Sequence, residues 1–189
     1  MISSILLAAG KSKRMNGENK LLKKYKNILL INYAINNILN SSIDEVIIVL
    51  GYQKEIIERM INKNKKIKFV FNKNFESGIA SSIKIGLNNI SENSKAFFVC
   101  LADMPFINHN IYNSMIQSLN CGEIIVPVYD NQQGNPVLFS INIKKEIMKI
   151  DGDIGAKKIL QKNKEKVFNL HINDKAIISD FNTPESFKS

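Results

Sequence analysis

The chain has 189 residues, 44% hydrophobic and 23% charged, with 26 Lys and Arg against 17 Asp and Glu for a net charge of +9. That length predicts one domain, the apolar share suffices for a packed core, and no apolar run approaches the ~20 residues needed to cross a bilayer, so no membrane association is expected. The positive charge raises nucleic-acid binding as a class, but the lysines are scattered, the only arginines are Arg14 and Arg59, and no RNA-stacking signature occurs; small anionic substrates fit the charge equally well, and no nucleic-acid partner is expected.

In chain order, residues 2–7 read as a strand, and 30–40 as a helix with Ile31, Ala34, Ile35, Ile38 and Leu39 at helical spacing. Residues 46–50 are almost continuously apolar, as a parallel strand buried on both faces should be. A helix over 54–62 carries Ile56, Ile57, Met60 and Ile61, followed by a strand over 67–71, a helix over 77–89 with Ile79, Ile83 and Leu87 on one face, and a strand over 96–101. This alternation predicts an α/β fold, a Rossmann-like three-layer sandwich around a right-handed, mostly parallel sheet. The rest is less regular: a helix over 110–119, a strand over 123–128, a loop over 129–135, a short strand over 137–140, short helices over 143–150 and 154–161, and weaker strands over 167–170 and 176–179. The opening MISSILLAAGKSKRM has its basic residues after the apolar run, the reverse of a secretory signal, so a cytoplasmic location is expected.

Chemistry concentrates where the first strand ends. Residues 5–22 read ILLAAGKSKRMNGENKLL, an apolar run that stops at Gly10 and passes into Lys11, Ser12, Lys13, Arg14, Asn16, Gly17, Asn19 and Lys20. Small residues admit a ligand close to the backbone, and Arg and Lys neutralise phosphate charge. A loop directly after a first strand is also where open α/β sheets bind ligands. The spacing matches neither the Walker loop nor G-x-G-x-x-G. It is similar to the loop LAAG-x-[SG]-x-RM-G-x-x-K of nucleotidyltransferases that build pyrophosphate linkages.

Asp103 ends the strand 96–101 in the sequence CLADMP, at the sheet edge where a carboxylate can hold Mg²⁺; a turn aspartate before proline is the plainer alternative. In NKNFESGIASS (72–82), Ser77 is expected to cap the helix, while Gly78, Ser81 and Ser82 lie where helix N–H groups face anions or a nucleobase. NQQGNPV (131–137) suggests either a tight loop at a ligand or a plain hairpin turn, and DGDIGAK (151–157) a glycine-rich turn with Asp153 capping the next helix. Near the end, Thr183 and Pro184 mark a helix start. Asp180 and Asn182 are expected to face opposite ways along an extended segment, so that one of them supplies a second oxygen ligand to the metal. Cys100 sits in an apolar run and is expected to be a buried thiol, and His109 and His171 are too far apart to suggest zinc.

The stretches LLAAGKSKRMNGENKLL, NFESGIASSIKIGL, VCLADMPFI, QQGNPVLF, DGDIGAK and DFNTPES together resemble the molybdenum cofactor cytidylyltransferase family, within the nucleotide-diphospho-sugar transferase-like superfamily, over nearly the whole chain. The resemblance implies transfer of CMP from CTP to molybdopterin, with Mg²⁺ as cofactor, pyrophosphate as product, and transient contact with a molybdoenzyme that receives it. Carried over by position, Arg14 and Lys20 would contact the triphosphate and Asp103 the metal, the backbone of Leu7, Ala8, Ala9 and Gly10 would lie by the base, and Ser12, Gly78, Ser81 and Ser82 would complete the nucleotide site. Asp180 or Asn182 would be the second metal ligand, and Gly134, Asn135, Pro136 and Asp153 would meet the acceptor. LAAG in place of LAGG favours cytidine. Asn16 stands where the family has Gly after RM, and Asn182 where it has Asp. Two other readings stay open: a sugar phosphate or other alcohol phosphate as acceptor, and a basic nucleic-acid-binding protein.

Overall fold

The computed structural model of the chain describes residues 1–12, 15, 18–153 and 156–181, the side chains of 156 and 157 excepted. In order the elements are β1 (Ile2–Ala8), β2 (Lys24–Tyr25), β3 (Ile28–Leu29), α1 (Leu30–Leu39), β4 (Glu45–Leu50), α2 (Lys54–Arg59), β5 (Ile67–Phe71) and α3 (Ile79–Leu87). Then follow β6 (Ala96–Leu101), α4 (His109–Gln117), β7 (Ile124–Tyr129), β8 (Gln132–Gln133), β9 (Val137–Ser140), α5 (Lys144–Ile147), α6 (Ala156–Lys162) and β10 (Val167–His171).

β1 lies inside the sheet because both of its faces are apolar. It pairs in parallel with β4 and β6, β5 adds to β4, and β10 pairs in parallel with β7. The strand order is β10-β7-β9-β6-β1-β4-β5, with β8 on β7, an eight-stranded, mixed and mostly parallel sheet. β9 runs antiparallel between β6 and β7, placing Phe139 opposite Phe97 with the rings stacked 5.5 Å apart. The sequence pattern contained β9 but not its direction or its place between two strands.

One face of the sheet is covered by α1, α2 and α4 through residues such as Ile31, Ile38, Ile57, Ile111 and Met115, and the other by α3, α5 and α6 through Ile83, Leu87, Ile147 and Ile159. These are the three layers expected. The helix expected over 54–62 ends at Arg59; Ile57 and Ile61 are buried, while Ile56 is 44% and Met60 52% exposed, so only part of its apolar stripe meets the core. No helix among the described residues is long and apolar enough to cross a membrane. Cys100 is buried against the Ser4 hydroxyl, 3.3 Å away, and burial pushes its thiol pKa up to about 12.

Several elements differ from expectation. Residues 176–179 are not a strand but belong to a 3-10 turn, Lys175–Ile178, because the Asp174 carboxylate accepts from the Ala176 N–H at 2.9 Å and turns the chain. Ser77 does not cap α3: it ends a 3-10 turn over Phe75–Ser77 and donates its hydroxyl to the Asn74 carbonyl at 2.7 Å, and the helix begins after Gly78. Within the expected loop 129–135, Asp130 and Asn131 take φ of 46° and 61° and close a tight β7–β8 hairpin. The same device at Lys26 and Asn27, with φ of 46° and 67°, makes an unforeseen β2–β3 hairpin.

Candidate active site

The carboxyl ends of β1 and β6 open on a cleft of about 580 Å³. Ligands of open α/β sheets bind at this edge. Of the residues proposed for nucleotide, Leu7, Ala8, Ala9, Gly10, Ser12, Lys20, Gly78, Ser82 and Asp103 line the cleft. The Leu7 carbonyl accepts from the Ala102 N–H at 3.2 Å and the Ala9 carbonyl from the Tyr52 N–H at 3.1 Å, which fixes the strand end between its neighbours. A Cβ on Gly10 would meet nothing within 4 Å. No packing contact requires glycine there, and Gly10 is among the residues lining the cleft, as close approach of a ligand would need.

After Gly10 the chain folds on itself. Ser12 takes a left-handed φ of 51°, its carbonyl accepts from the Met15 N–H at 2.8 Å, and its hydroxyl accepts from the Lys20 N–H at 3.2 Å. Asn19 caps the turn Lys20–Leu22 by accepting from the Leu21 N–H at 3.1 Å. Lys20 is thus held at its root, and its ammonium pairs with the Asp103 carboxylate; the two side chains are only 16% and 18% exposed. Lys11 pairs with Glu76 and lies 5.8 Å from the Phe75 ring, joining the β1 loop to the turn before α3. Phe75 and Glu76 also line the cleft. Their contribution was not legible, because nothing local in the sequence pairs Lys11 with a carboxylate so far along the chain. Arg14, Asn16, Gly17 and Asn182 lie outside the described residues, as do Thr183 and Pro184.

The N-terminus of α3 is engaged by the protein itself. The Ile79 N–H donates to the Asp153 carboxylate at 3.3 Å and the Ala80 N–H to the Gly152 carbonyl at 3.1 Å. Asp153 therefore caps α3 rather than serving only the helix that follows it, and it lines the cleft. Gly78 has φ of 110°, and a Cβ there would stand 2.3 Å from the Gly152 carbonyl carbon, so both its backbone and its neighbours demand glycine. Asn72, fully buried, donates to the Ser81 and Ser82 hydroxyls at 2.8 and 2.9 Å. This aims Ser82 at the cleft; Ser81 is not among the lining residues and bonds back to the Gly78 carbonyl at 2.8 Å.

Besides Glu76 and Asp153, the carboxylates of Asp103 and Asp180 line the cleft. The Phe181 N–H donates to the Asp103 carbonyl at 2.9 Å, tying the two segments together. In extended chain residues i and i+2 share a side, so alternation by itself does not set Asp180 against Asn182 as expected; the intervening Phe181, 5% exposed, turns away into the core, and Asn182 lies outside the described residues. Among the described residues no group of three or more His, Cys, Asp or Glu converges. Asp103 and Asp180 in one cleft still suit Mg²⁺, which takes one or two carboxylates and completes its shell with phosphate oxygens and water.

The 134–136 stretch is placed elsewhere. A Cβ on Gly134 would lie 2.3 Å from the Ile177 carbonyl oxygen, and the Asn135 N–H donates to that oxygen at 2.8 Å. What approaches this glycine is protein backbone, and Gly134, Asn135 and Pro136 are not among the residues lining the cleft. Of the four acceptor candidates, Asp153 alone lines it.

The chain is similar to several known proteins. Two proteins named probable molybdenum cofactor guanylyltransferase are similar, one from Methanosarcina acetivorans (26% identity over 153 residues) and one from Methanosarcina mazei (29% over 154). Each alignment covers 79% of this chain but only about two thirds of the relative, 67% and 66%. Nicotine blue oxidoreductase of Paenarthrobacter nicotinovorans is 24% identical over 192 residues, covering 97% of this chain and 93% of that protein. Among solved structures, Rv0371c from Mycobacterium tuberculosis H37Rv superposes with a TM-score of 0.88 at 22% identity, over 99% of this chain and 95% of that one. A manganese complex of Rv0371c superposes at 0.78 and 20% identity, over 92% and 89%. Residues 4–167 match the family described as the MobA-like NTP transferase domain, and the chain belongs to that family.

Proposed function

We propose that this NTP transferase moves CMP from CTP to the terminal phosphate of molybdopterin. The observation that carries the reading is the meeting of Lys20, Asp103 and Asp180 in one cleft that Gly10 also lines. An oxygen of the acceptor phosphate attacks the α-phosphorus of the nucleotide, a P–O–P bond forms, and the bond to the β-phosphate breaks with release of pyrophosphate. A phosphate monoester is already ionised near neutral pH, so no protein base is needed. Catalysis then rests on position and charge. Mg²⁺, held by Asp103 and by Asp180 or Asn182, would neutralise the phosphate oxygens; the manganese complex of a similar fold is consistent with such a metal. Lys20 holds a positive charge beside Asp103 before nucleotide arrives, and with Arg14 it would grip the triphosphate. Ser82 would face the base, and Asp153, which also holds the start of α3, the acceptor.

Ala9 supports cytidine. It is among the residues lining the cleft, at the position where guanylyltransferase relatives more often have glycine. The Methanosarcina relatives are named guanylyltransferases, so the base is the point to test. Pyrophosphate release with each of the four NTPs, with and without molybdopterin, should be fastest with CTP and dependent on the acceptor. Turnover with GTP equal to or faster than CTP would overturn cytidine while leaving the transferase standing. Turnover with a sugar phosphate would change the acceptor. An oxidoreductase reading has in its favour a relative of that name aligned over 97% of this chain. Absence of pyrophosphate release with every NTP and acceptor would turn the argument to it.

A further inference from the structure

Three segments distant in sequence deliver Lys20, Asp103 and Asp180 to the cleft, and each runs within a few residues onto a ring of one cluster. Lys20 leads through its turn into β2, where Tyr25 sits; Asp103 leads to Phe106; Asp180 is followed by Phe181. The three rings close a triangle of edge-to-face contacts, with centroids 5.3 Å apart for Tyr25 and Phe106, 5.7 Å for Tyr25 and Phe181, and 5.2 Å for Phe106 and Phe181. Tyr33 of α1 backs the triangle at 6.0 Å from Tyr25, and its hydroxyl donates to the Tyr25 carbonyl at 3.1 Å. The Phe181 N–H on the Asp103 carbonyl joins two of the three segments a second time. Phe106 is 37% exposed, so sealing the core does not account for its place against the other two rings.

We propose that Tyr25, Phe106 and Phe181 form an aromatic clamp that positions Lys20, Asp103 and Asp180 for a metal–nucleotide complex without touching it. The inference rests on the nucleotidyl-transfer reading above. Charged side chains on three separate loops need a common anchor to stay in register, since small displacements at a metal and phosphate site are costly.

The test measures Mn²⁺ binding by electron paramagnetic resonance in the presence of a non-hydrolysable CTP analogue, with the GTP analogue in parallel, alongside kcat, KM and thermal unfolding. Phe106→Ala alters a partly exposed ring and should leave the fold intact. It should weaken Mn²⁺ binding on the order of tenfold and lower kcat more than it raises KM for CTP. Phe181→Leu should do the same and Phe181→Tyr should restore both. Phe139→Leu, in the core on the opposite face, should lower thermal stability and leave Mn²⁺ affinity unchanged. Wild-type affinity and kcat in Phe106→Ala and Phe181→Leu, or equal weakening by Phe139→Leu, overturns the clamp alone. A wild-type protein that binds Mn²⁺ with neither analogue overturns the transferase reading and the clamp with it.

Discussion

Gly78→Ala asks whether the contact between residue 78 and the 151–153 loop builds the cleft. Gly78 takes φ 110° and ψ 169°, a region essentially confined to glycine, and alanine there costs about 1–3 kcal/mol in backbone strain. The new Cβ would stand 2.3 Å from the Gly152 carbonyl carbon and 2.4 Å from its oxygen, backbone atoms that cannot rotate aside. The loop must withdraw, and the bonds from Ile79 to Asp153 and from Ala80 to Gly152 go with it, at about 0.5–1.5 kcal/mol each. The combined loss of about 2–6 kcal/mol lowers Tm by roughly 4–24 °C in a chain of this size. Gly10→Ala is the matched perturbation, because its Cβ meets nothing within 4 Å. Its Tm without ligand should stay within about 2 °C of wild type. Thermal unfolding is then followed with and without CTP and Mg²⁺. Ligand at a hundred times its Kd stabilises wild type by about 2.7 kcal/mol, or roughly 5–11 °C, and Gly10→Ala should lose most of that shift. A wild-type Tm in Gly78→Ala, or a full ligand shift in Gly10→Ala, refutes the roles given to these glycines.

Lys20→Ala should fold and lower kcat by roughly 10²–10³, as loss of one charge-assisted donor does. Activity within a few-fold of wild type would remove it from the triphosphate site. Asp103→Asn keeps size and removes charge, so turnover should be almost abolished with the fold preserved; Mg²⁺-dependent turnover in this variant contradicts the proposed chemistry. Asp180→Ala should raise the Mg²⁺ concentration needed for half-maximal activity, and an unchanged Mg²⁺ curve leaves the second ligand to Asn182. Cys121 is exposed and Cys100 buried, so iodoacetamide at pH 8 should modify one thiol in the native protein and two after unfolding. The Cys100 pKa rises from 9.0 to about 12, so the folded state keeps the proton that the unfolded chain loses. Its contribution to stability is present below pH 9.0, is lost progressively as pH rises towards about 12, and should vanish from the alkaline slope in Cys100→Ala.

The first half of the fold was legible because its signals are local. The apolar runs of β1, β4 and β6 and the helical stripes of α1 and α3 declare period and burial within a few residues. The cleft was legible in outline for the same reason: Gly10 and Asp103 both lie just beyond the carboxyl ends of strands, and parallel topology gathers such ends on one edge. Tertiary structure alone decided the rest. The antiparallel seat of β9 depends on pairing with β6 and β7, and the Lys20–Asp103 pair joins residues that no periodicity relates. Gly134 resembled a ligand-contact glycine because sequence shows that something must come close without showing what; the structure supplies the Ile177 carbonyl. Likewise Ser77 had the right chemistry for a helix cap, and the three-dimensional path of the 151–153 loop decided that the Ile79 N–H at the start of α3 meets Asp153 instead. A side chain's type limits what it can do, and that much can be read along the chain. Which partner it meets is set by loop closure over long separations, which no local pattern encodes.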